Sequence, residues 1–357
     1  MTTVLALLLL VSPGFDEIDF SGGTEERLRL LKHKNPGVRL RAAQLLEHAP
    51  PQRALAAMLV ALGDVDAHVR GAAARTLGSW GDERATPFLA RAIKIEEVPA
   101  ILRDMLLALS RCGGRYAGRL VLPFLEHPSL KVRAAAAAAL GRLGDAGQRK
   151  ALWAAFRFDS DDHGSALRAA VLGAFTQLGW DEDVRKAVGE LEAGDALRAW
   201  RVRVAVVLAI GGVRWKERAA WLKALVERDK DARVLAAAAS ALVQIGERDQ
   251  VARWLKHQNA LVRRAALDAL SGVGDPRAAA AAATFVRQDP DVALRFRAAL
   301  ILHETRHVDA DLYMVDAMRS DDASIWISAL AALERRYGKK YGRNPGRWTE
   351  FLKQKSE

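Results

Sequence analysis

VRAAAAAALGRLGD, residues 132–145, is one of several near-copies of a single phrase: VRGAAARTLGSWGD stands at 69–82 and VRRAALDALSGVGD at 262–275. With the first apolar residue of the phrase as an anchor, anchors recur at Val38, Val69, Ile101, Val132, Leu167, Val202, Val234, Val262, Leu294 and Ile325, separated by 28 to 35 residues. Eight positions later stand Leu46, Leu77, Leu109, Leu140, Phe175, Ile210, Leu242, Leu270, Leu302 and Leu333, with Ala or another apolar residue usual at positions four and five. At 3.6 residues per turn these positions share one face. The phrase therefore predicts an amphipathic helix with a narrow stripe of small residues.

The ends of that helix are marked too. Asn35, Asp66, Ser129, Asp231, Asn259, Asp291 and Asp322 precede their anchors by three residues and suit an N-cap, where a side-chain oxygen accepts an orphan backbone N–H. Gly81, Gly113, Gly144, Gly179, Gly246 and Gly274 follow by twelve, the place of a left-handed terminating residue. Between phrases there is room for one more helix, as in RATPFLARAIKI (84–95). The unit is a helical hairpin that cannot bury its apolar face alone, so neighbours must stack on it. The expected fold is all-α, a right-handed α-solenoid of about ten hairpins over residues 24–337.

The recurring anchor, Arg, Ala, Leu, Gly and Asp in one register resemble the HEAT repeat in its short bacterial form, the phycobilisome-lyase type. Arg follows the anchor in seven units, at Arg39, Arg70, Arg133, Arg168, Arg203, Arg263 and Arg295. A row of arginines suggests a phosphate track. The resemblance implies instead a structural ladder, each Arg bonding an acid of the preceding turn, and Asp64/Arg70, Asp162/Arg168 and Asp289/Arg295 share the required six-residue spacing. Deoxyhypusine hydroxylase, an enzyme built on such repeats, holds iron with His-Glu pairs two and three residues after the anchor. None of the ten units here has that pair, and no cofactor is expected.

The net charge of +11 sits mostly at one end. Residues 335–357 hold eight Lys/Arg against two Glu, while the other 334 residues carry 46 basic and 41 acidic groups. A near-balanced body argues against nucleic acid as the partner. The basic tail, 338–357, breaks the repeat with Gly338, Gly342, Pro345 and Gly346, and offers Trp348, Phe351 and Leu352 as a cap on the last hairpin. Its cations could touch acidic surfaces weakly. Cys112 is the single cysteine, which excludes an internal disulfide and reads as a buried, inert thiol.

At the other end, the apolar run Val4–Val11 and the small residues of Ser12-Pro13-Gly14 give residues 1–22 the look of a leader, implying export, for instance to a periplasm. The absence of Lys or Arg before the run leaves the alternative open, a buried first helix in a cytoplasmic protein. No other stretch is long and apolar enough to span a membrane.

Two constellations could carry function. His303-Glu304-Thr305-Arg306-His307 matches H-E-x-x-H, the zinc-hydrolase motif, which needs both imidazoles on one helical face. The register puts Arg306 at the terminating position, so His307 is expected beyond the helix end. The other is a run rich in Trp and Arg: Arg198, Trp200, Arg201, Arg203, Arg214 and Trp215, with Trp180 and Trp221 nearby. Bulky Trp can simply fill the wider gaps of irregular units, but exposed Trp and Arg are the usual anchors of recognition surfaces. The composite expectation is a non-catalytic scaffold for a protein or peptide partner. A metal-dependent hydrolase and a polyanion binder are the alternatives.

Overall fold

The computed structural model describes residues 20–114, 117–144, 146–158, 165–193, 197, 199–304 and 310–356. The leader reading rests on residues 1–19 and lies outside them. Among the described residues there is no strand, and no helix is long and apolar enough to cross a membrane. The chain divides into two units, Met1–Ala209 and Ile210–Glu357.

In the first unit a short helix α1 (Thr24–Leu30) precedes alternating anchor and partner helices. They run α2 (Pro36–Leu45), α3 (Pro51–Ala61), α4 (Ala67–Trp80), α5 (Thr86–Ile95), α6 (Pro99–Cys112), α7 (Ala117–Val121), α8 (Leu130–Leu143), α9 (Arg149–Phe158), α10 (Ser165–Gln177) and α11 (Asp181–Ala193). The unit boundary falls within α12 (Trp200–Gly212). The second unit continues with α13 (Arg218–Arg228), α14 (Ala232–Gln244), α15 (Arg248–Arg253), α16 (Ala260–Gly272), α17 (Pro276–Gln288), α18 (Val292–Glu304), α19 (Ala310–Ala317), α20 (Ala323–Tyr337) and α21 (Pro345–Ser356). Every anchor phrase forms an even-numbered helix, and successive anchor helices pack on one another, α4 on α6, α6 on α8, α8 on α10 and α14 on α16. Each unit is thus a stack of helical hairpins, the architecture of an α-solenoid.

The phrase explains the packing residue by residue. All ten anchors and all ten residues eight positions later are buried. Asn35, Asp66, Asp231 and Asn259 accept from the backbone N–H groups of the first helical turn, whereas Ser129 sits at its N-cap without a side-chain bond. Gly81, Gly144, Gly179, Gly246 and Gly274 adopt positive φ. Gly113 does not: its backbone is extended, φ −90° and ψ 143°. A Cβ there would lie 2.7 Å from the Ala117 Cβ and 2.9 Å from the Leu109 carbonyl oxygen, so close approach, not a left-handed turn, calls for this glycine. Cys112 is buried with its thiol 3.2 Å from the Leu77 carbonyl, and burial, with Asp82 adding to it, pushes its pKa up to about 11.

Small residues set the spacing between stacked anchor helices. Nine positions after its anchor, a glycine meets an alanine seven positions after the next anchor. A Cβ on Gly78 would stand 2.9 Å from the Ala108 Cα, one on Gly141 2.6 Å from the Ala174 Cα, and one on Gly211 2.8 Å from the Ala241 Cβ. Gly141→Val is therefore expected to cost about 1–3 kcal/mol, because α8 and α10 must be pushed apart. Gly173→Ala, in α10 with nothing within 4 Å of the new methyl, should instead gain about 0.5–1 kcal/mol from helix propensity alone. Urea unfolding of the two variants side by side checks both signs.

The C-terminal segment folds back on the second unit. Trp348 is fully buried and Leu352 nearly so, and α21 packs against α19. Trp348 lies 5.0 Å from the Tyr341 ring in an edge arrangement, and its indole N–H donates to the Gly342 carbonyl at 3.2 Å. Three of the cations of this segment are engaged. Lys339 and Lys355 lie 5.8 Å and 4.5 Å from the rings of Phe351 and Tyr337, and Arg343 donates to the carbonyls of Met318 and Ser320.

Candidate binding surface

The arginine row is internal wiring, with a direction that differs from the expected one. Arg70 reaches Asp64, but through Nη1 to the Asp64 backbone carbonyl at 2.9 Å, and Arg295 likewise meets the Asp289 carbonyl at 2.8 Å. The carboxylates belong to the arginine of the unit before. Arg39 grips Asp64 with two bonds of 2.7 Å, Arg70 grips Glu96 at 2.7 and 2.9 Å, and Arg263 grips Asp289 at 2.8 and 2.7 Å. Nε and Nη2 of a guanidinium form a planar fork that matches a carboxylate, leaving Nη1 for the carbonyl. Each acid also accepts from the amide two residues on, as Asp289 does from Asp291 at 2.9 Å. Burial works against the Asp64, Glu96 and Asp289 carboxylates, yet the guanidinium and these amides hold all three pKa values below the ordinary range. Arg133 and Arg203 make the same carbonyl bond, to His127 and Leu197, both at 2.9 Å. Arg168 has its Nε 3.4 Å from the Phe156 carbonyl, and its expected partner Asp162 lies outside the described residues.

The Trp/Arg run does not form one patch within a unit. Trp200, Arg201 and Arg203 belong to the first unit, Arg214 and Trp215 to the second, and Arg198 lies outside the described residues. Trp200 is half-buried, with exposed Arg201 stacked over its ring at 4.8 Å. Arg203 belongs to the ladder. Trp215 and Trp221 lie 6.4 Å apart in the second unit, and Arg214 is exposed.

A denser arrangement stands upstream, on the partner helices α9 and α11. Arg149, Trp153 and Arg157 are four apart along α9, and Asp183, Lys186 and Glu190 follow at three and four along α11, so each set forms a stripe. The Trp153 indole N–H donates to Asp183 Oδ1 at 2.5 Å, and Arg149 holds the same buried carboxylate with both arms of its fork. Behind Trp153 lies the buried Phe175, with ring centroids 5.1 Å apart. Over it stand Arg157 at 4.9 Å and Lys186 at 5.1 Å, and Arg149 lies 5.5 Å from the Trp180 ring. Arg157 also pairs with Glu190, and that bond holds the glutamate's pKa down. Arg149, Trp153, Glu182, Asp183, Arg185 and Lys186 line an open concavity of about 660 Å³. An indole locked by a buried acid, backed by an aromatic and flanked by cations is a rigid anchor that costs little ordering entropy on binding. The RxxxWxxxR spacing of Arg149, Trp153 and Arg157 was the available signal; a search for the greatest density of Trp points downstream of it.

At the H-E-x-x-H sequence, His303 and Glu304 close α18, while His307 lies outside the described residues. The His303 Nδ1 is engaged 2.6 Å from Asp311 Oδ1. Arg336 donates to that oxygen at 3.0 Å and to the His303 carbonyl at 3.2 Å, and the Tyr337 hydroxyl donates to Asp311 Oδ2. Burial, then the bond to Asp311, pushes the Tyr337 pKa up to about 12. This cluster ties α18, α19 and α20 together. Among the described residues no three His, Cys, Asp or Glu side chains are grouped to hold a metal ion.

Stacked hairpins with a recurring arginine ladder define a helical-repeat protein. Residues 24–110 match the family described as HEAT repeats, and the same register continues through the later anchors. Over residues 24–110 the chain carries HEAT repeats. No curated protein matches it. Among solved structures, Escherichia coli YibA is similar at 19% identity over 72% of this chain and 96% of that one, with a TM-score of 0.42. The CpcE–CpcF complex of phycocyanin lyase from Nostoc is similar at 18% identity, covering 90% and 99%, TM-score 0.34. Human deoxyhypusine hydroxylase is similar at 20% identity, covering 80% and 96%, TM-score 0.33.

Proposed function

We propose that the protein is a non-catalytic scaffold that captures a protein or peptide segment, with the Trp153 surface as a principal contact. The observation that carries this reading is the cation-flanked indole of Trp153, preset by Asp183 at the edge of an open concavity. Recognition surfaces concentrate their binding energy in Trp and Arg side chains of this kind. The lining residues include no nucleophile beside a base, the arrangement that acyl or phosphoryl chemistry would ask for. The Trp200–Arg201 pair is a second contact in the same unit. Polyanion binding gains little support, since Arg39, Arg70 and Arg263 spend their forks on carboxylates within the stack.

A photo-crosslinking amino acid in place of Lys186, in the full chain expressed in its native cell, should give a discrete protein adduct. The same substitution at exposed Lys94 of α5 should not. Trp153→Ala should reduce the adduct at least tenfold while leaving helical content unchanged, and Trp200→Ala with Arg201→Ala should reduce it less. Adducts to nucleic acid, or none at position 186, would overturn the reading.

A further inference from the structure

In the second unit one ladder arginine lacks its acid, and it lines a cleft. Arg295 sits one residue after its anchor, and its Nη1 donates to the Asp289 carbonyl as the other ladder arginines do to theirs. The carboxylate for its Nε–Nη2 fork should come from the residue five before the next anchor, the place of Asp64, Glu96 and Asp289. That residue is Ser320. Ser320 keeps half of the acid's role, since its Oγ accepts from the Asp322 amide at 3.2 Å, matching the turn bond of Asp289. It supplies no charge to Arg295, and its carbonyl is taken by Arg343 at 2.9 Å. Among the described residues, the Arg295 fork has no carboxylate partner.

Arg295 lines a cleft of about 270 Å³ with an apolar wall of Val286, Phe296 and Ile325. Arg319 and Asp316 stand on its rim, exposed and 3.8 Å apart, so with Arg295 the charged lining sums to +1. We propose that this cleft binds the carboxylate of a ligand with an apolar body, Arg295 clamping it in place of the missing ladder acid. A branched aliphatic acid and the C-terminal residue of a peptide ending in an apolar side chain share that chemistry. A bidentate guanidinium–carboxylate pair fixes orientation, and the apolar wall takes the side chain. The volume suits one residue-sized group. The site is independent of the Trp153 surface, which lies in the other unit.

The test is calorimetric titration of the full chain with 4-methylpentanoate against 4-methylpentanamide, and with a pentapeptide ending in a free Leu carboxylate against its C-terminal amide. At least one acid should bind tenfold or more tightly than its amide. Binding of only the small acid assigns a free acid as the ligand, and binding of only the peptide assigns a chain terminus. Ser320→Asp restores the ladder acid, so it should abolish binding while raising the melting temperature. Ser320→Ala, which removes only the hydroxyl, should bind as the parent does. Equal affinity for acid and amide, no carboxylate binding at millimolar concentration, or full binding by Ser320→Asp would each overturn the proposal.

Discussion

Asp289→Ala should unfold at markedly lower denaturant than the parent chain, with a loss of about 3–5 kcal/mol, the usual cost of removing one partner of a buried ion pair. The pair is well enclosed: the Arg263 and Asp289 side chains are 10% and 3% exposed. Removing the carboxylate strands the Arg263 fork and frees the Asp291 amide. Asp289→Asn separates the contributions, since its amide oxygen can still accept from Asp291 while the charge is gone. The parent chain should show the same dependence in pH. Asp289, Asp64 and Glu96 all have folded pKa values below their ordinary ones. Their stabilisation is therefore complete above the unfolded carboxylate range of about 4 and lost as pH falls through the lower folded values. Far-UV dichroism against urea, repeated down to about pH 3, measures both effects, and Asp289→Ala should flatten the acid limb. An unchanged midpoint for Asp289→Ala would mean that the ladder does not hold the stack.

Trp348→Ala should be comparably damaging, at about 3–5 kcal/mol for a buried aromatic. The ring is fully buried, contacts Tyr341, Tyr337 and Phe351, and has its N–H satisfied by Gly342. Its loss should release α21 and expose the apolar side of the last hairpin, where Leu330, half-buried, already marks the end of the small-residue stripe. Hydrogen exchange should then rise across 310–356 and stay unchanged in the first unit. Trp348→Phe, which keeps most of the ring but not the donor, should retain more than half of the stability.

The helices were legible because the anchor and the residue eight later recur without exception, and burial of both in all ten units is the physical cause of that regularity. The ladder was legible in composition but not in connection. Asp64 and Asp289 each stand six residues before one arginine and 25 or 26 after another, and only the stacked helices show that the first contact uses the carbonyl and the second the carboxylate. Gly113 was misread as left-handed because a glycine at a helix end has two uses, a turn or a close approach, and sequence does not separate them. The Trp153 surface was hidden for a related reason: Asp183, which orients the indole, lies 30 residues away on another helix. The His303–Asp311–Arg336–Tyr337 cluster joins three helices, so no local motif announces it.

The ladder also sets how the molecule can change length. The forks of Arg39, Arg70 and Arg263 reach forward 25 or 26 residues while their remaining nitrogens reach back six, so where the ladder runs a period is stitched on both sides at fixed offsets. Excising a single helix would leave two stitches dangling, one on either side. Excising or duplicating a whole period would re-form both, with the same partners at the same offsets. Lineages of this chain should therefore vary by complete periods, and designed versions can be lengthened by copying the segment from one anchor to the next.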